Sequence, residues 1–174
     1  MIVKRKIMNE ILLFSSKKNI DSRGFFTRAY CRESIKKNSV KDGIKQINCS
    51  FNKTIYTLRG YHYQEPNSEA KTISCINGQI FLSILNLKKK SKYYLKTCNL
   101  QLDENDSNFC YIPKKYATAF LTLKKNTLVM YYMSDNYKPG FAKGIRWNDS
   151  IIKEKWPHKP KVISERDISF ENFS

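Results

Sequence analysis

A seven-residue segment, LRGYHYQ (residues 58–64), contains the densest group of reactive side chains in the sequence. A neutral imidazole is the usual general base near pH 7, and the fork of an arginine guanidinium fits phosphate oxygens. The segment therefore combines a candidate proton-transfer group, His62, with a candidate anion-binding group, Arg59. From the pattern alone, one histidine among aromatic residues is more typical of a structural role, so the chemical interpretation needs support from elsewhere in the chain.

Strand geometry determines what lies beside His62. In a β-strand alternate side chains share a face, which places Gln64 with His62 and Arg59 on the opposite face. Lys71 begins the next predicted strand, after a turn that contains Pro66. We therefore expect Lys71 to lie beside His62 on the sheet.

The elements that must position these residues are mostly β-strands. Two hairpins are predicted. The first joins strands 72–76 and 79–85 through a turn at Asn77-Gly78, and the second joins strands 118–123 and 127–132 through a Lys-Lys-Asn turn. Asn-Gly favours the two-residue hairpin turn that matches the strand twist. Further strands are predicted over 54–58, 93–102 and 109–112, and short helices over 32–37 and 149–156. Turn-rich breaks at roughly 8–12-residue spacing are typical of an all-β sandwich, jelly roll or barrel with a few short helices.

The length and hydropathy of the chain indicate one soluble domain. The 174 residues suit a single domain, since domains most often have about 100–150 residues. The longest apolar run, residues 11–14, is far shorter than the ~18 residues that cross a bilayer, and no export signal is recognised. We therefore expect one domain over residues 1–174, located in the cytoplasm, with no membrane partner.

The charge is strongly basic: 32 Lys and Arg against 15 Asp and Glu give +17. Such a balance favours polyanionic partners, which include nucleic acids and phosphorylated small molecules. However, 25 of the basic residues are Lys and only 7 are Arg, and the lysine pairs fall mostly between apolar segments. We therefore favour solvated loop charge over a nucleic-acid footprint.

The histidine and cysteine counts argue against metal catalysis. The sequence has two histidines, His62 and His158, and five cysteines without a C-x-x-C pair. A zinc ribbon or finger needs such close pairs. We therefore expect no metal.

A series of motifs resembles the dTDP-4-dehydrorhamnose 3,5-epimerase family. The motifs extend from about residue 20 to residue 167, and they are DSRGFF (21–26), QINCS (46–50), LRGYHYQ (58–64), Lys71, Ile-Pro (112–113), Tyr131 with Tyr-Lys-Pro (137–139), IRWND (145–149), Trp-Pro (156–157) and SERD (164–167). The resemblance implies a cupin-type β jelly roll, usually a homodimer, that needs no metal or organic cofactor. It also implies an isomerase that inverts C3, C5 or both, next to the C4 ketone of a nucleotide-linked 4-keto-6-deoxyhexose, in surface-polysaccharide biosynthesis.

The same resemblance implies catalytic roles. A proton α to a carbonyl is acidic only if the enolate is stabilised, so the site needs a base, a proton donor on the other ring face and a cation near the keto oxygen. By resemblance, His62 is the base, Tyr131 the donor and Lys71 the cation. Asp167 would pair with His62 and set its tautomer, as a carboxylate does in hydrolase triads. Only the order of the motifs distinguishes Tyr131 from an ordinary tyrosine and Asp167 from a solvated charge.

A second group is implied to contact the substrate. Its members are Arg23, Arg28, Gln46, Asn48, Arg59, Thr118, Tyr137 and Arg166. Arg23 and Arg59 would bind the diphosphate, and Tyr137 would offer a flat surface to the nucleotide. The structural alternative for Arg59 is a pair with a carboxylate, and for Asn48 a turn cap.

Several positions depart from the family pattern. Thr118 stands in place of a ligand-contacting histidine, Arg28 in place of an acidic residue, Ala142 in place of a glutamate, and Arg166 in place of the more frequent lysine. Leu82 stands in place of an aspartate, which leaves open the charge state and placement of Lys71. We infer that the sugar chemistry persists and that the nucleotide differs from dTDP.

Two other interpretations stay open. One is a catalytically altered relative, either a C3-only epimerase or a binding module that kept the jelly roll. The other is a basic β-fold nucleic-acid binder, which predicts steep salt dependence and a groove of basic and aromatic side chains. The epimerase interpretation predicts a buried pocket that contains His62, Lys71 and Tyr131, a nucleotide-diphosphate sugar as partner, and no nucleic acid.

Overall fold

In the computed structural model, which describes residues 1–153 and 155–173, the chain forms two antiparallel β-sheets that enclose an apolar core. The strands in chain order are β1 (Ile2–Ile7), β2 (Ile11–Ser15), β3 (Lys18–Asp21), β4 (Gly24–Thr27), β5 (Gln46–Asn52), β6 (Leu58–Gln64), β7 (Lys71–Asn77), β8 (Gln79–Asn86), β9 (Thr97–Asp103), β10 (Asn108–Ile112), β11 (Tyr116–Thr122), β12 (Thr127–Met133) and β13 (Ala142–Gly144). The helical segments are α1 (Arg32–Lys36), a 3₁₀ turn (Pro139–Phe141) and α2 (Glu165–Ile168).

The two sheets divide the strands between them. The larger sheet has the order β1-β2-β10-β7-β12-β5, and the smaller has the order β13-β6-β11-β8-β9. Strands β3 and β4 pair only with each other and form a separate hairpin. The prediction of an all-β sandwich of jelly-roll type with a few short helices is confirmed.

The core lies between the sheets and comes from alternate residues of their strands. Ile80, Leu82 and Ile84 of β8 are completely buried, and they belong to one cluster with Ile73 of β7 and Val129 of β12. Burial of one such side chain stabilises the fold by about 1.5–3 kcal/mol. Ile73 and Leu82 also line a cavity between the two sheets, so this cavity borders the core directly.

Both predicted hairpins are wrong, although their strands exist. Strands β7 and β8 belong to different sheets, as do β11 and β12. Each turn therefore moves the chain from one sheet to the facing one. At the first corner Gly78 has φ +85°, and an added Cβ would lie 2.4 Å from Thr127 Oγ1. The local residues thus determine strand and turn, but the pairing partners come from distant parts of the chain.

The remaining predicted elements are partly confirmed. The strand over 109–112 and the helix over 32–37 are present as β10 and α1. In the predicted strand 54–58 only Leu58 is in a strand, and β9 begins at Thr97 rather than at residue 93. The described residues of 149–156 form no helix, and Glu154 lies outside the described residues. Helix α2 was not predicted.

The basic surface lies largely between the elements. The lysines at 88–90, 114–115 and 124–125 occupy loops that connect strands consecutive in the chain. Among the described helices, none has the length and apolar character needed to cross a membrane.

Candidate active site

A cavity of about 220 Å³ opens between the two sheets. Side chains from β5, β6, β7, β8, β11 and β12 line it, together with residues of the segment that follows β12. The predicted site residues found in its lining are Asn48, Arg59, His62, Lys71, Thr118, Tyr131, Tyr137 and Arg166. Residues from distant parts of the sequence thus meet in one place.

Strand β6 presents both Arg59 and His62 to the cavity, so the predicted alternation is wrong. On the neighbouring strand β11, Thr118 pairs with His62 and Phe120 pairs with Arg59. A three-residue step on β6 therefore matches a two-residue step on β11, which is a β-bulge. Gly60 lies in the bulge with φ +107°, and an added Cβ would lie 2.4 Å from the Thr118 carbonyl oxygen.

His62 and Asp167 form the expected pair. His62 Nε2 and Asp167 Oδ1 are 2.7 Å apart, and the Asp167 side chain is only 4% exposed. Burial raises the pKa of Asp167, but hydrogen bonds from His62, Gly60 and Ser164 outweigh it and hold the pKa below its ordinary value. An ionised carboxylate can only accept hydrogen bonds. His62 Nε2 therefore donates to this carboxylate, so in the neutral imidazole the lone pair that a base needs is on Nδ1.

Helix α2 places Asp167 in the site. Ser164 caps the helix, and its Oγ accepts a hydrogen bond from the Asp167 N–H at 3.2 Å. Two residues after the helix, the ring of Phe170 packs edge-on against the imidazole of His62, with 6.0 Å between centroids. The analysis of the sequence missed both contacts, although a serine before an acidic first turn is a recognisable helix start.

Tyr131 of β12 lines the same cavity as His62. Burial raises the pKa of Tyr131, and the positive charge of Arg59 opposes this only in part. The phenol therefore keeps its proton at neutral pH, as a proton donor must. Its ring lies 6.3 Å from that of Phe120, which also lines the cavity.

Lys71 of β7 is almost completely buried and directs its ammonium group at three acceptors. These are the His62 carbonyl oxygen at 2.9 Å, Glu69 Oε1 at 3.1 Å and Thr118 Oγ1 at 3.4 Å. Lys71 therefore contacts His62 as expected, but the expected place beside it on one sheet is wrong, because β7 and β6 belong to facing sheets and the contact runs between them. The sequence analysis missed Glu69, although its position two residues before Lys71 in extended chain indicates a shared face.

A polar group surrounds the opening of the cavity. Arg59 Nε donates to Asn52 Oδ1 at 2.8 Å, an amide rather than a carboxylate. Arg166 Nη1 donates to the Tyr137 hydroxyl at 3.5 Å. These arginines and Tyr137 come from β6, from α2 and from the segment after β12.

Gln46 is not part of the cavity lining but positions two residues that are. Its Nε2 donates to Asn48 Oδ1 at 2.8 Å, and its Oε1 accepts the Tyr137 N–H at 2.9 Å. Gln46 therefore positions Asn48 and Tyr137 through hydrogen bonds without lining the cavity itself.

Arg23 and Arg28, which were predicted to contact the substrate, do not line this cavity within one chain. Arg23 lies in the β3–β4 turn, is 88% exposed and pairs with Asp21 at 2.6 Å. Arg28 lines a separate cavity of about 100 Å³ beside Phe25 and Phe109. The physical reason is that the β3–β4 hairpin pairs with neither large sheet, so its motif lies outside the cavity.

The donor set of the described residues does not form a metal centre. In residues 1–153 and 155–173, no group of three or more His, Cys, Asp or Glu side chains is placed to hold a metal ion. The chemistry available at the cavity is therefore that of the His62–Asp167 pair, a buried ammonium and a protonated phenol.

Comparisons with known proteins agree on one family. A family model described as dTDP-4-dehydrorhamnose 3,5-epimerase matches residues 5–174. A protein of that description from Sinorhizobium fredii is 30% identical over 162 residues, which are 92% of this chain and 83% of the relative. Another from Bacillus anthracis, solved with TDP and pyrophosphate bound, superposes with a TM-score of 0.95 at 27% identity and covers 99% of both chains.

A more distant structure shares the fold. It is a 3'-monoepimerase from Streptomyces bikiniensis, solved in complex with dTDP-quinovose. It superposes with a TM-score of 0.85 at 21% identity and covers 93% of this chain and 83% of its own. At this identity the likeness shows the fold alone.

Proposed function

This chain belongs to the dTDP-4-dehydrorhamnose 3,5-epimerase family, and from that premise we propose that it inverts C3, C5 or both on a nucleotide-linked 4-keto-6-deoxyhexose for surface-polysaccharide biosynthesis. The observation that supports this most strongly is the cavity lined by His62, Lys71 and Tyr131, with Asp167 bound to His62. Membership of this family favours the enzyme over the nucleic-acid-binding alternative.

His62 is the base of the proposed reaction. Nδ1 removes the proton on the carbon next to the C4 ketone, and the electron pair of the broken C–H bond moves to the keto oxygen as an enolate. The ionised carboxylate of Asp167 stabilises the imidazolium that forms, as in hydrolase triads. Loss of such a base typically costs about 10²–10⁴ in rate.

Lys71 stabilises the enolate oxygen. A positive charge held in a water-poor cavity lowers the energy of a developing oxyanion and needs no reorganisation during the step. Lys71 is 6% exposed and borders the cavity. These two properties suit an ammonium that acts on an oxygen rather than on bulk water.

Tyr131 returns a proton to the other face of the ring. Inversion requires removal on one face and delivery on the other, because a base alone returns the proton to the side it came from. The raised pKa of Tyr131 keeps the phenol protonated. Before the next turnover the imidazolium of His62 releases its proton to solvent, and the phenolate of Tyr131 takes up a proton from solvent.

The nucleotide end of the substrate lies at the opening of the cavity. We assign Arg59 and Arg166 to the diphosphate, because a guanidinium group can donate two parallel hydrogen bonds to phosphate oxygens. Asn48 offers a neutral hydrogen bond, and Tyr137, half exposed, offers its ring.

A second copy of this chain completes the proposed enzyme. The β3–β4 hairpin exposes Phe25 and Phe26 at 56% and 72%, and edge strand β5 exposes Phe51 at 58%. Large apolar side chains exposed to this extent favour burial against a partner. In a homodimer the hairpin would extend to the partner's cavity, and Arg23 would contact the diphosphate there.

Deuterium wash-in tests the proposed reaction. The wild-type chain is incubated in heavy water with dTDP-, UDP-, GDP- and CDP-linked 4-keto-6-deoxyhexoses, and NMR locates the exchanged carbons. Exchange at C3 alone identifies a monoepimerase, and exchange at C3 and C5 a 3,5-epimerase. If none of the four sugar nucleotides exchanges, the proposed reaction is wrong and the chain has the family fold with a binding role only.

Light scattering tests the dimer. Wild type is expected at twice the mass of the chain, and Phe51→Lys should shift it toward monomer. If Arg23 acts across the interface, the monomeric variant and Arg23→Ala should lose nucleoside-diphosphate affinity to the same extent. A wild-type monomer with full affinity would contradict the proposal.

A further inference from the structure

Assuming the proposed function, we infer that Glu69 is the residue that positions Lys71 for catalysis in this chain. The carboxylate of Glu69 balances the positive charge of the Lys71 ammonium. Glu69 and the carbonyl oxygen of His62 accept two of the three ammonium protons. The third proton is then available to the keto oxygen of the substrate. Glu69 acts through Lys71 and is a positioning residue rather than a catalytic one.

The first support is the burial of both charges. The side chains of Glu69 and Lys71 are 3% and 7% exposed, and their charged atoms are 3.1 Å apart. A charge withdrawn from water to this extent needs an opposite charge and hydrogen bonds. In each of the other ion pairs among the described residues, at least one side chain is 34% exposed or more.

The second support is the distribution of the three ammonium protons. An ammonium has three donors and no acceptor, and Lys71 has three acceptors within reach. The contacts to His62 and Glu69 are short, whereas the contact to Thr118 Oγ1 is the longest, at 3.4 Å. Thr118 also lines the cavity. The ammonium proton of Lys71 that points to Thr118 Oγ1 is therefore the one that a substrate oxygen can accept instead.

The third support is that Glu69 is itself fixed. Its Oε2 accepts from Gln64 Nε2 at 3.0 Å. Gln64 in turn accepts the Lys138 N–H at 2.8 Å through Oε1. One amide thus ties the carboxylate to the segment that carries Tyr137, so Glu69 cannot turn away when substrate binds.

The position of the carboxylate is a property of this chain. Leu82 on the facing strand β8 is completely buried, lines the cavity and offers no charge. The negative charge instead comes from the chain segment just before β7, two residues from Lys71 itself. The structure therefore gives the lysine an acidic neighbour that the opposite side of the cavity lacks.

A double-mutant cycle in deuterium wash-in tests the inference. Glu69→Gln, Lys71→Met and the double variant are compared with wild type, each with the sugar nucleotide that wild type exchanges fastest. Glu69→Gln should lower kcat roughly 100-fold, the effect of about a 1 Å misplacement of a catalytic group, with little change in nucleoside-diphosphate affinity by calorimetry. In the Lys71→Met background the same substitution should cause no further loss, because residues that act as a unit are not additive.

Glu65→Gln is the matched control. Glu65 also pairs with a lysine, Lys143 at 2.9 Å, but both side chains are more than half exposed, so kcat should equal that of wild type. Glu69→Asp keeps the charge on a shorter side chain and covers a Gln variant that fails to fold; it should fold and still lose most of kcat.

The outcomes are distinguishable. Equal losses in the wild-type and Lys71→Met backgrounds, or wild-type kcat in Glu69→Gln or Glu69→Asp, would overturn the role of Glu69 and leave the proposed function intact. A wild-type chain that exchanges no deuterium into any of the four sugar nucleotides would overturn the proposed function and this inference with it.

Discussion

Replacement of Asp167 by Asn should inactivate the enzyme by fixing the wrong tautomer of His62. Asp167 Oδ2 accepts the Gly60 N–H at 2.9 Å, so the amide oxygen of Asn must occupy this position. The amide NH₂ then faces His62 Nε2, which can only accept from it. The imidazole proton moves to Nδ1, and the lone pair that removes the substrate proton is lost.

The size of the effect follows from this geometry. The wrong tautomer costs about 10⁴ in turnover where the same pair operates in hydrolases, and we expect a similar loss here. Both hydrogen bonds persist without the charge, so stability should fall by about 1 kcal/mol per bond, the difference between a hydrogen bond to a charged group and one to a neutral group. Deuterium wash-in by NMR measures the first quantity, and urea unfolding measures the second.

The same substitution should change the acid sensitivity of the fold. The pKa of Asp167 is lowered in the folded state, so its stabilising contribution is present above the unfolded pKa, about 3.9, and is lost as the pH falls through the folded pKa. The Asn variant lacks this group, so its stability should decline less steeply at acid pH than that of wild type.

A second buried aspartate provides the control. Asp149 is 4% exposed and accepts the Ile151 and Phe173 N–H groups at 2.9 and 2.8 Å, away from the cavity. Asp149→Asn should therefore lower stability and leave kcat nearly unchanged. If Asp167→Asn kept turnover within tenfold of wild type, the assignment of the tautomer to Asp167 would be wrong.

Three further substitutions address the other groups of the site. His62→Asn should abolish exchange at every exchanged carbon, and full exchange in wash-in would exclude His62 as the base. Tyr131→Phe deletes one hydroxyl and keeps the ring, so we expect retained solvent exchange but lost net epimerisation by NMR; a variant that epimerises at the normal rate would contradict the role of donor. Arg59→Ala should weaken nucleoside-diphosphate affinity at least tenfold, since a charge-assisted hydrogen bond contributes about 1.5–3 kcal/mol, and unchanged affinity in calorimetry would make Arg59 structural.

The sequence alone predicted the fold class and most residues of the candidate site. Apolar alternation and regular turns predict an all-β sandwich because side chains of period two must bury one face. The ordered motifs bring His62, Lys71, Tyr131 and Asp167 together as candidates. These are local properties or properties of order along the chain, which a sequence carries directly.

Only the tertiary structure decided how the strands pair and what surrounds each group. Asn77-Gly78 specifies a turn, but it does not specify whether β8 pairs with β7 or crosses to the facing sheet. In the structure β8 crosses to the facing sheet, where its apolar side chains are buried against those of β7. The bulge at Gly60 adds one residue to β6 and so brings Arg59 to the same cavity as His62. Glycine is needed there because an added Cβ would lie 2.4 Å from the Thr118 carbonyl oxygen. The departure at Leu82 left Lys71 without an evident partner in the sequence, and the folded chain supplies Glu69 at 3.1 Å. Pairing, bulges and buried counter-charges all depend on residues distant in the chain, and these meet only once the two sheets have packed.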